Sequence, residues 1–131
     1  MAKRVVTIGF QISHDSVDRE AIYSIVSLLD WDLILFEPNI EPFIIHQNDT
    51  YNGRLCLDDD TSFRLKESLE HWRREIRHAF DHGRTVVIFL NTLSRIYVAT
   101  GRKEYSGTGR NQRATRIVEP FDNYYAIPVK L

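Results

Sequence analysis

The sequence contains only one cysteine, Cys56, in 131 residues. A single thiol excludes an internal disulfide and is typical of proteins from a reducing compartment, so we expect a cytoplasmic protein. No apolar run approaches the roughly 18 residues of a membrane-spanning helix. No small-residue cleavage site follows the N-terminal apolar run. We therefore expect no membrane partner and no signal peptide.

The formal charge is small in total and unevenly distributed. Residues 1–94 hold ten lysines and arginines against fifteen acidic residues, whereas residues 95–131 hold seven against three. The first segment is formally −5 and the second +4, which leaves −1 for the chain. This balance argues against a globally basic nucleic-acid-binding protein and is compatible with a local basic patch in the last third.

The order of apolar and amphipathic segments predicts βαβ units. Continuous apolar runs predict strands over residues 4–10, 32–36 and 85–90, as in a sheet that is covered on both faces. Apolar residues every three or four positions predict helices over residues 17–29 and 62–82. We expect an α/β fold: a three-layer sandwich with a mainly parallel central sheet and helices on both faces, as a single domain over residues 1–131.

The other segments are shorter. Short strands are predicted at residues 43–45 and 55–57, around an Asn52-Gly53 turn. Strands at residues 95–99 and 116–118 flank a glycine-rich polar loop over residues 101–113. Because an aromatic segment, residues 124–131, ends the sequence abruptly, we expect an N-terminal domain of a longer protein whose remainder is its partner.

Three segments resemble one family of α/β domains. They are WDLILFEP at residues 31–38, HWRREI at 71–76 and DHGRTVVIFL at 81–90. Together they resemble class I glutamine amidotransferase-like domains, and the resemblance implies a Rossmann- or flavodoxin-like sheet. That family places its nucleophile in a Gly-x-Cys-x-Gly elbow. Here leucines flank Cys56, so no catalytic residue carries over and amidotransfer is not expected.

The glycine-rich loop is the first candidate site. Glycines let backbone N–H groups converge on an anion, and arginines add charge-assisted hydrogen bonds. The loop lacks the Gly-Lys-Ser/Thr of a Walker A motif, and Gln112 replaces the third glycine of a dinucleotide fingerprint. We expect a nucleotide, a phosphate or a nucleic-acid backbone as ligand; a surface hairpin without a ligand is the alternative. The predicted ligand-binding residues are Arg102, Lys103, Gly107, Gly109, Arg110 and Arg113.

Carboxylates near predicted strand ends are the second candidate. The carboxyl ends of parallel strands share one edge, where ligands usually bind, and carboxylates suit Mg²⁺. Helix capping and a solvated turn explain the same residues without a metal. The candidate Mg²⁺ ligands are Asp15, Glu37, Asp58 and Asp60.

Two further patterns have plainer explanations. One helix face carries His71, Glu75, His78 and His82 at metal-ligand spacing, but no second ligand-bearing helix is evident, and the last two histidines suit a helix C-terminus. Cys56 between leucines is typical of a small buried apolar residue.

Three functions follow from these patterns. The first is a non-catalytic recognition or accessory domain that binds an anionic ligand. The second is a Mg²⁺-dependent hydrolase acting on a phosphate or glycosidic substrate. The third is a protein–protein interaction module that uses an apolar patch around Phe121, Tyr124 and Tyr125.

Overall fold

The computed structural model describes residues 3–90, 95–122 and 124–128. The strands in these residues are β1 Val5–Ile8, β2 Val17–Glu20, β3 Leu33–Phe36, β4 Thr50–Tyr51, β5 Arg54–Leu55, β6 Thr85–Ile88, β7 Tyr97–Ser106 and β8 Arg113–Pro120. The α-helices are α1 Glu41–Ile44 and α2 Asp59–Asp81, and short 3-10 turns cover Leu28–Asp30 and Gly109–Asn111. The expected domain of residues 1–131 therefore includes residues outside the described ones, among them the last three of the aromatic segment.

The centre of the fold is a parallel four-stranded sheet in the order β2-β1-β3-β6. The interior strands are the apolar sequences VVTI and LILF. On one face of these two strands Val6, Ile8, Ile34 and Phe36 are completely buried. The predicted mainly parallel sheet is confirmed, with the three predicted strands each shorter by one to three residues.

Helix α2 covers this buried face. The Asp58 side chain caps the helix by accepting the Thr61 N–H at 2.7 Å, and Gly83, at φ 73°, ends it. Its buried stripe was expected from the sequence and consists of Leu65, Leu69, Trp72, Ile76 and Ala79, all at 0% exposure. The Trp72 ring centroid lies 6.3 Å from that of Phe36. The predicted helix 62–82 is confirmed, although it begins three residues earlier.

The predicted helix over residues 17–29 is wrong. Its first four residues form β2, which pairs with the free edge of β1, and a 3-10 turn follows at Leu28–Asp30. The expected apolar face does not exist, since Ile22 is buried while Ile25 is 85% exposed. Ladder hydrogen bonds to β1 satisfy the backbone of both segments, and this tertiary pairing overrides the helical spacing. The Trp31 Nε1–H also donates to Asp18 at 2.7 Å and ties β2 to the segment before β3.

The second helical layer is not confirmed. Within the described residues α2 is the only long helix, and α1 and the 3-10 turn at Leu28–Asp30 join the core on its side of the sheet. The opposite face carries Thr7, which is completely buried, three half-buried residues, Val5, Leu33 and Leu35, and Val87, which is 40% exposed. The structure thus shows a mixed α/β fold with a parallel sheet, and the described residues do not confirm the predicted sandwich of three layers.

Residues 43–45 are not a strand, because α1 includes the first two of them. Pro42 lies in the first turn of α1, where its fixed φ favours a helix and its missing N–H costs nothing. The Asn52-Gly53 turn is confirmed: both residues have positive φ, 51° and 77°, and they join β4 to β5. The predicted strand at 55–57 is represented by β5 and by a bridge from Cys56 to Tyr97.

Residues 101–113 are mostly not a loop. Strands β7 and β8 pair antiparallel from Tyr97↔Pro120 to Ser106↔Arg113, with an irregularity between Ala99 and Lys103. The predicted strands at 95–99 and 116–118 are the proximal part of this hairpin. A hairpin forms in place of the predicted loop because backbone hydrogen bonds between the two strands do not depend on apolar side chains, which the prediction relied on.

None of the helices in the described residues is both long and apolar enough to cross a membrane.

Candidate functional site

The β7–β8 hairpin forms a two-stranded ribbon whose outer part is the candidate site. We call residues 101–115 the distal ribbon; every one of them is exposed. Four regular cross-strand pairs, from Lys103↔Arg116 at its base to Ser106↔Arg113, span about 10 Å at ~3.4 Å per residue step. Its only acidic residue is Glu104, against four lysines and arginines. The distal ribbon is thus a positively charged projection with water on all sides.

The base of the ribbon is attached to α2 by polar contacts. The Lys66 ammonium donates to the Ala99 carbonyl at 2.7 Å and lies 3.4 Å from Glu119 Oε1. The Ala99 N–H donates to the Ser62 hydroxyl at 3.0 Å, in a buried environment. Within the ribbon, the Thr100 hydroxyl donates to the Ile117 carbonyl at 2.7 Å. These bonds hold the irregular segment of β7 in place.

Arg116 provides the second attachment. Its Nη1 donates to the Leu57 carbonyl at 3.1 Å and to Asp59 Oδ1 at 2.9 Å. The hydrogen bond to Asp59 raises the pKa of Arg116 above its usual value. Arg116 therefore remains a cation that pairs inside the domain and is not available to a ligand.

The cations of the distal ribbon differ from Lys66 and Arg116 in having no such partners. Among residues 3–90, 95–122 and 124–128, no ion pair or side-chain hydrogen bond involves the charged groups of Arg102, Lys103, Arg110 and Arg113. The structure thus brings all four predicted cations onto one projection. An external anion is the partner that such groups can accept.

The cations do not share one face of the ribbon. Directly paired residues project from the same face, and neighbours along a strand project from opposite faces. Lys103 and Arg116 therefore mark one face, whereas Arg113 and Ser106 mark the other. Arg110 lies in the 3-10 turn at the end of the ribbon. Cations are thus presented to both sides and to the tip, and on the Arg113 face the cation is accompanied by Glu104, which pairs with Thr115.

The two predicted glycines shape the turn. A Cβ atom on Gly107, at φ 83°, would lie 2.4 Å from the Asn111 carbonyl oxygen, so only glycine fits there. Two N–H groups of the turn are used internally, since Asn111 donates to Thr108 and Gln112 donates to Gly109. Gly109 also has a positive φ, 59°, but faces open space.

The predicted Mg²⁺ ligands do not assemble. Asp58 caps α2, and the hydrogen bond from the Thr61 N–H lowers its pKa below 3.8. Asp60 lies 3.8 Å from Arg64 in the first turn of α2, Asp15 is exposed in the β1–β2 connection, and Glu37 follows β3. In the part of the chain that the structure describes, no group of three or more His, Cys, Asp and Glu residues is placed to hold a metal ion. A shared Mg²⁺ site made of these four carboxylates therefore has no support in the fold.

The histidine stripe of α2 makes contacts within the domain. His71 Nε2 lies 3.0 Å from the Val26 carbonyl oxygen, and Glu75 accepts the Leu28 N–H at 3.1 Å. His82 Nδ1 lies 2.8 Å from the carbonyl oxygen of His78. These side chains connect α2 to the segment between β2 and β3 and to its own last turn.

The other candidates also make contacts within the domain. Cys56 is buried, as its leucine neighbours predict. Phe121 packs against the core, and the Arg73 guanidinium lies 5.0 Å from the centroid of the Tyr125 ring while donating to the Tyr125 carbonyl at 2.8 Å. The aromatic segment is therefore partly engaged by the domain itself.

Sequence reasoning missed the residues that attach the ribbon, Lys66, Ser62 and Arg116. Each contacts a residue more than 30 positions away, so no local pattern marks it. The one local signal was the position of Lys66 beside the apolar stripe of α2, and this position does not identify the partner of Lys66.

Comparisons with family models, with curated proteins and with solved structures gave no match.

Proposed function

We propose that this chain is a non-catalytic recognition or accessory domain that binds phosphate-bearing ligands through its distal ribbon. The observation that carries the proposal is the set of four exposed cations without an anionic partner in the described residues. Arginine presents planar, forked donors that suit phosphate oxygens, and three of the four cations are arginines. The ligand class is a nucleotide, a phosphate group or a nucleic-acid backbone.

The charge distribution favours binding of an anion at the ribbon over binding at the rest of the domain. Residues 1–94, a segment that includes the sheet and α2, carry a formal charge of −5. Their field repels an approaching polyanion, whereas the basic ribbon attracts it, so the two parts together orient the encounter. Because the ribbon projects into water, its interactions are screened by salt.

Binding is tested with tripolyphosphate, a short single-stranded oligonucleotide and a short DNA duplex between about 50 and 200 mM salt. We expect the binding constant for the duplex to fall with salt, with a log–log slope of about −3 to −4 if all four cations contact phosphates. The double variant Arg110→Gln/Arg113→Gln is expected to weaken binding of each ligand that binds and to reduce this slope by about 2.

The matched control is Arg74→Gln/Arg77→Gln, which removes the same charge from exposed positions on α2. It is expected to bind as the unchanged protein does. Absence of binding at the lowest salt, or equal losses in the two double variants, would refute the ribbon as the site. Urea unfolding of each variant establishes that the domain is folded in every comparison.

A further inference from the structure

The cross-section of the distal ribbon matches a groove. Two antiparallel strands lie about 4.8 Å apart, and their side chains project from both faces. The major groove of B-form DNA is about 12 Å wide and admits a two-stranded ribbon. The regularly paired segment, residues 103–106 opposite residues 113–116, is such a two-stranded ribbon.

The distribution of charge also fits a groove. A groove presents a phosphate wall on each side, so a ribbon that enters it meets anions from both faces. The distal ribbon presents Lys103 on one face, Arg113 on the other and Arg110 at the end. Glu104 shares the face of Arg113, but each face presents one cation, so phosphates on both sides of a groove have a partner.

The composition argues against two other polyanionic partners. Proteins that bind single strands stack successive bases on several aromatic rings, whereas Tyr105 is the one aromatic residue in the sequence of the distal ribbon. Binding to an anionic membrane surface requires an apolar face that enters the lipid. Apart from Tyr105, the distal ribbon has Ala114 as its largest apolar side chain.

Two amides at the end of the ribbon are free to contact bases. Asn111 and Gln112 are exposed, and no hydrogen bond involves their side chains in the ranges that the structure describes. Asparagine and glutamine can form paired hydrogen bonds with the major-groove edge of adenine. They follow Arg110 directly in the chain, at the end of the ribbon.

We propose that the distal ribbon enters the major groove of duplex DNA, with its cations on the two phosphate walls and Asn111 and Gln112 toward the base edges. This inference rests on the proposed function and specifies its ligand. The attachments of the ribbon base through Lys66 and Arg116 restrict its movement before binding, which lowers the entropic cost of association.

The experiment compares three ligands of one sequence: duplex DNA, its single strand and duplex RNA, at one salt concentration. A-form RNA has a deep, narrow major groove, so it tests the groove directly. We expect duplex DNA to bind at least about tenfold more tightly than the other two. A DNA duplex whose major groove is filled by glucosylated hydroxymethylcytosine is expected to lose this advantage, and inosine in place of guanosine, which alters the minor groove, is expected to have no effect.

Two variants separate this inference from the proposed function. The ratio of binding constants between DNA duplexes of different sequence is the readout for Asn111→Ala/Gln112→Ala. This double variant is expected to reduce that ratio by about tenfold or more and to keep the salt slope, since neither residue carries charge. Binding in the major groove is refuted if the single strand or duplex RNA binds as well as duplex DNA, or if the glucosylated duplex binds unchanged. In that case Arg110→Gln/Arg113→Gln still tests whether the ribbon is the binding site. If no ligand depends on the ribbon arginines, the proposed function itself is refuted.

Discussion

Arg116 of β8 and Asp59 of α2 connect the ribbon to the domain, with Nη1 and Oδ1 2.9 Å apart. The same guanidinium lies 4.0 Å from Asp49 and donates to the Leu57 carbonyl. One side chain thus joins β8 to the start of α2 and to the segment before β4. The ribbon is positioned by this contact, whereas its outer cations have no anionic partner among the residues that the structure describes.

Replacement of Arg116 by Gln is expected to lower the free energy of unfolding by about 1–2 kcal/mol, because a charge-assisted hydrogen bond is lost and the Leu57 carbonyl keeps only its weaker donor, the Ser62 hydroxyl at 3.4 Å. A double-mutant cycle with Asp59→Asn, in which urea unfolding gives the free energy of each variant, measures the coupling energy between the two side chains. Since Asp59 is 61% exposed, we expect a coupling of about 0.5–1 kcal/mol. Additive effects of the two substitutions would contradict a direct interaction.

Trp72 is expected to be the largest single contributor to the core. It is completely buried, and its Nε1–H donates to the Ile22 carbonyl at 2.6 Å. Trp72→Ala is expected to reduce the free energy of unfolding by about 3–5 kcal/mol. Trp72→Phe keeps most of the volume and leaves the carbonyl unpaired, at a cost of about 1–3 kcal/mol.

Phe63 is the matched control for Trp72, since it lies on the same helix with 65% of its surface exposed. Phe63→Ala is expected to change the free energy of unfolding by less than about 0.5 kcal/mol. Equal effects of the Phe63 and Trp72 substitutions would be incompatible with the position of the sheet beneath α2.

Asp58 is expected to make the stability depend on pH in the acid range. Its folded-state pKa lies below 3.8 because its carboxylate accepts the Thr61 N–H. The ionised carboxylate therefore contributes its full stabilisation above about pH 4, and the contribution is lost as the pH falls through the folded-state pKa. Denaturant midpoints measured at neutral pH and below pH 3.8 show the loss.

Two substitutions separate the cap from the charge. Asp58→Ala removes the cap and is expected to cost about 1 kcal/mol at neutral pH. Asp58→Asn keeps an acceptor for the Thr61 N–H, so it is expected to preserve most of the stability and to flatten the decline in acid. If the stability of the Asn variant falls with decreasing pH as steeply as that of the unchanged protein, the loss of stability in acid comes from other carboxylates.

Gly107 and Gly109 are expected to respond differently to alanine. Gly109→Ala is expected to lower the free energy of unfolding by about 1–2 kcal/mol, because alanine is strained at a left-handed φ. No further cost is expected, since nothing lies within 4 Å of the added Cβ. Gly107→Ala meets that cost and a close approach to the Asn111 carbonyl oxygen. Amide hydrogen exchange along β7 and β8 is expected to rise more in the Gly107 variant, with α2 unaffected in both. Equal exchange in the two variants would contradict the described turn.

Local patterns were sufficient for part of the fold. The stripe from Leu65 to Ala79 predicts α2 because helical periodicity depends only on the sequence itself, and Gly83 marks its end. The apolar runs of β1, β3 and β6 predict buried strands for the same reason. The four cations of the distal ribbon were likewise visible as a basic segment.

The remaining features depend on contacts between distant residues. Residues 17–20 have a helical pattern and become a strand because β1 has a free edge that they can pair with. The polar residues 101–106 become half of a ribbon because residues 113–116 lie opposite them and fix their register. The sequence by itself determined the buried strands, α2 and the presence of a basic segment. Tertiary pairing decided the edge strand and the placement of the cations on both faces of a projecting ribbon, because backbone hydrogen bonds between strands are made with partners that no local pattern identifies.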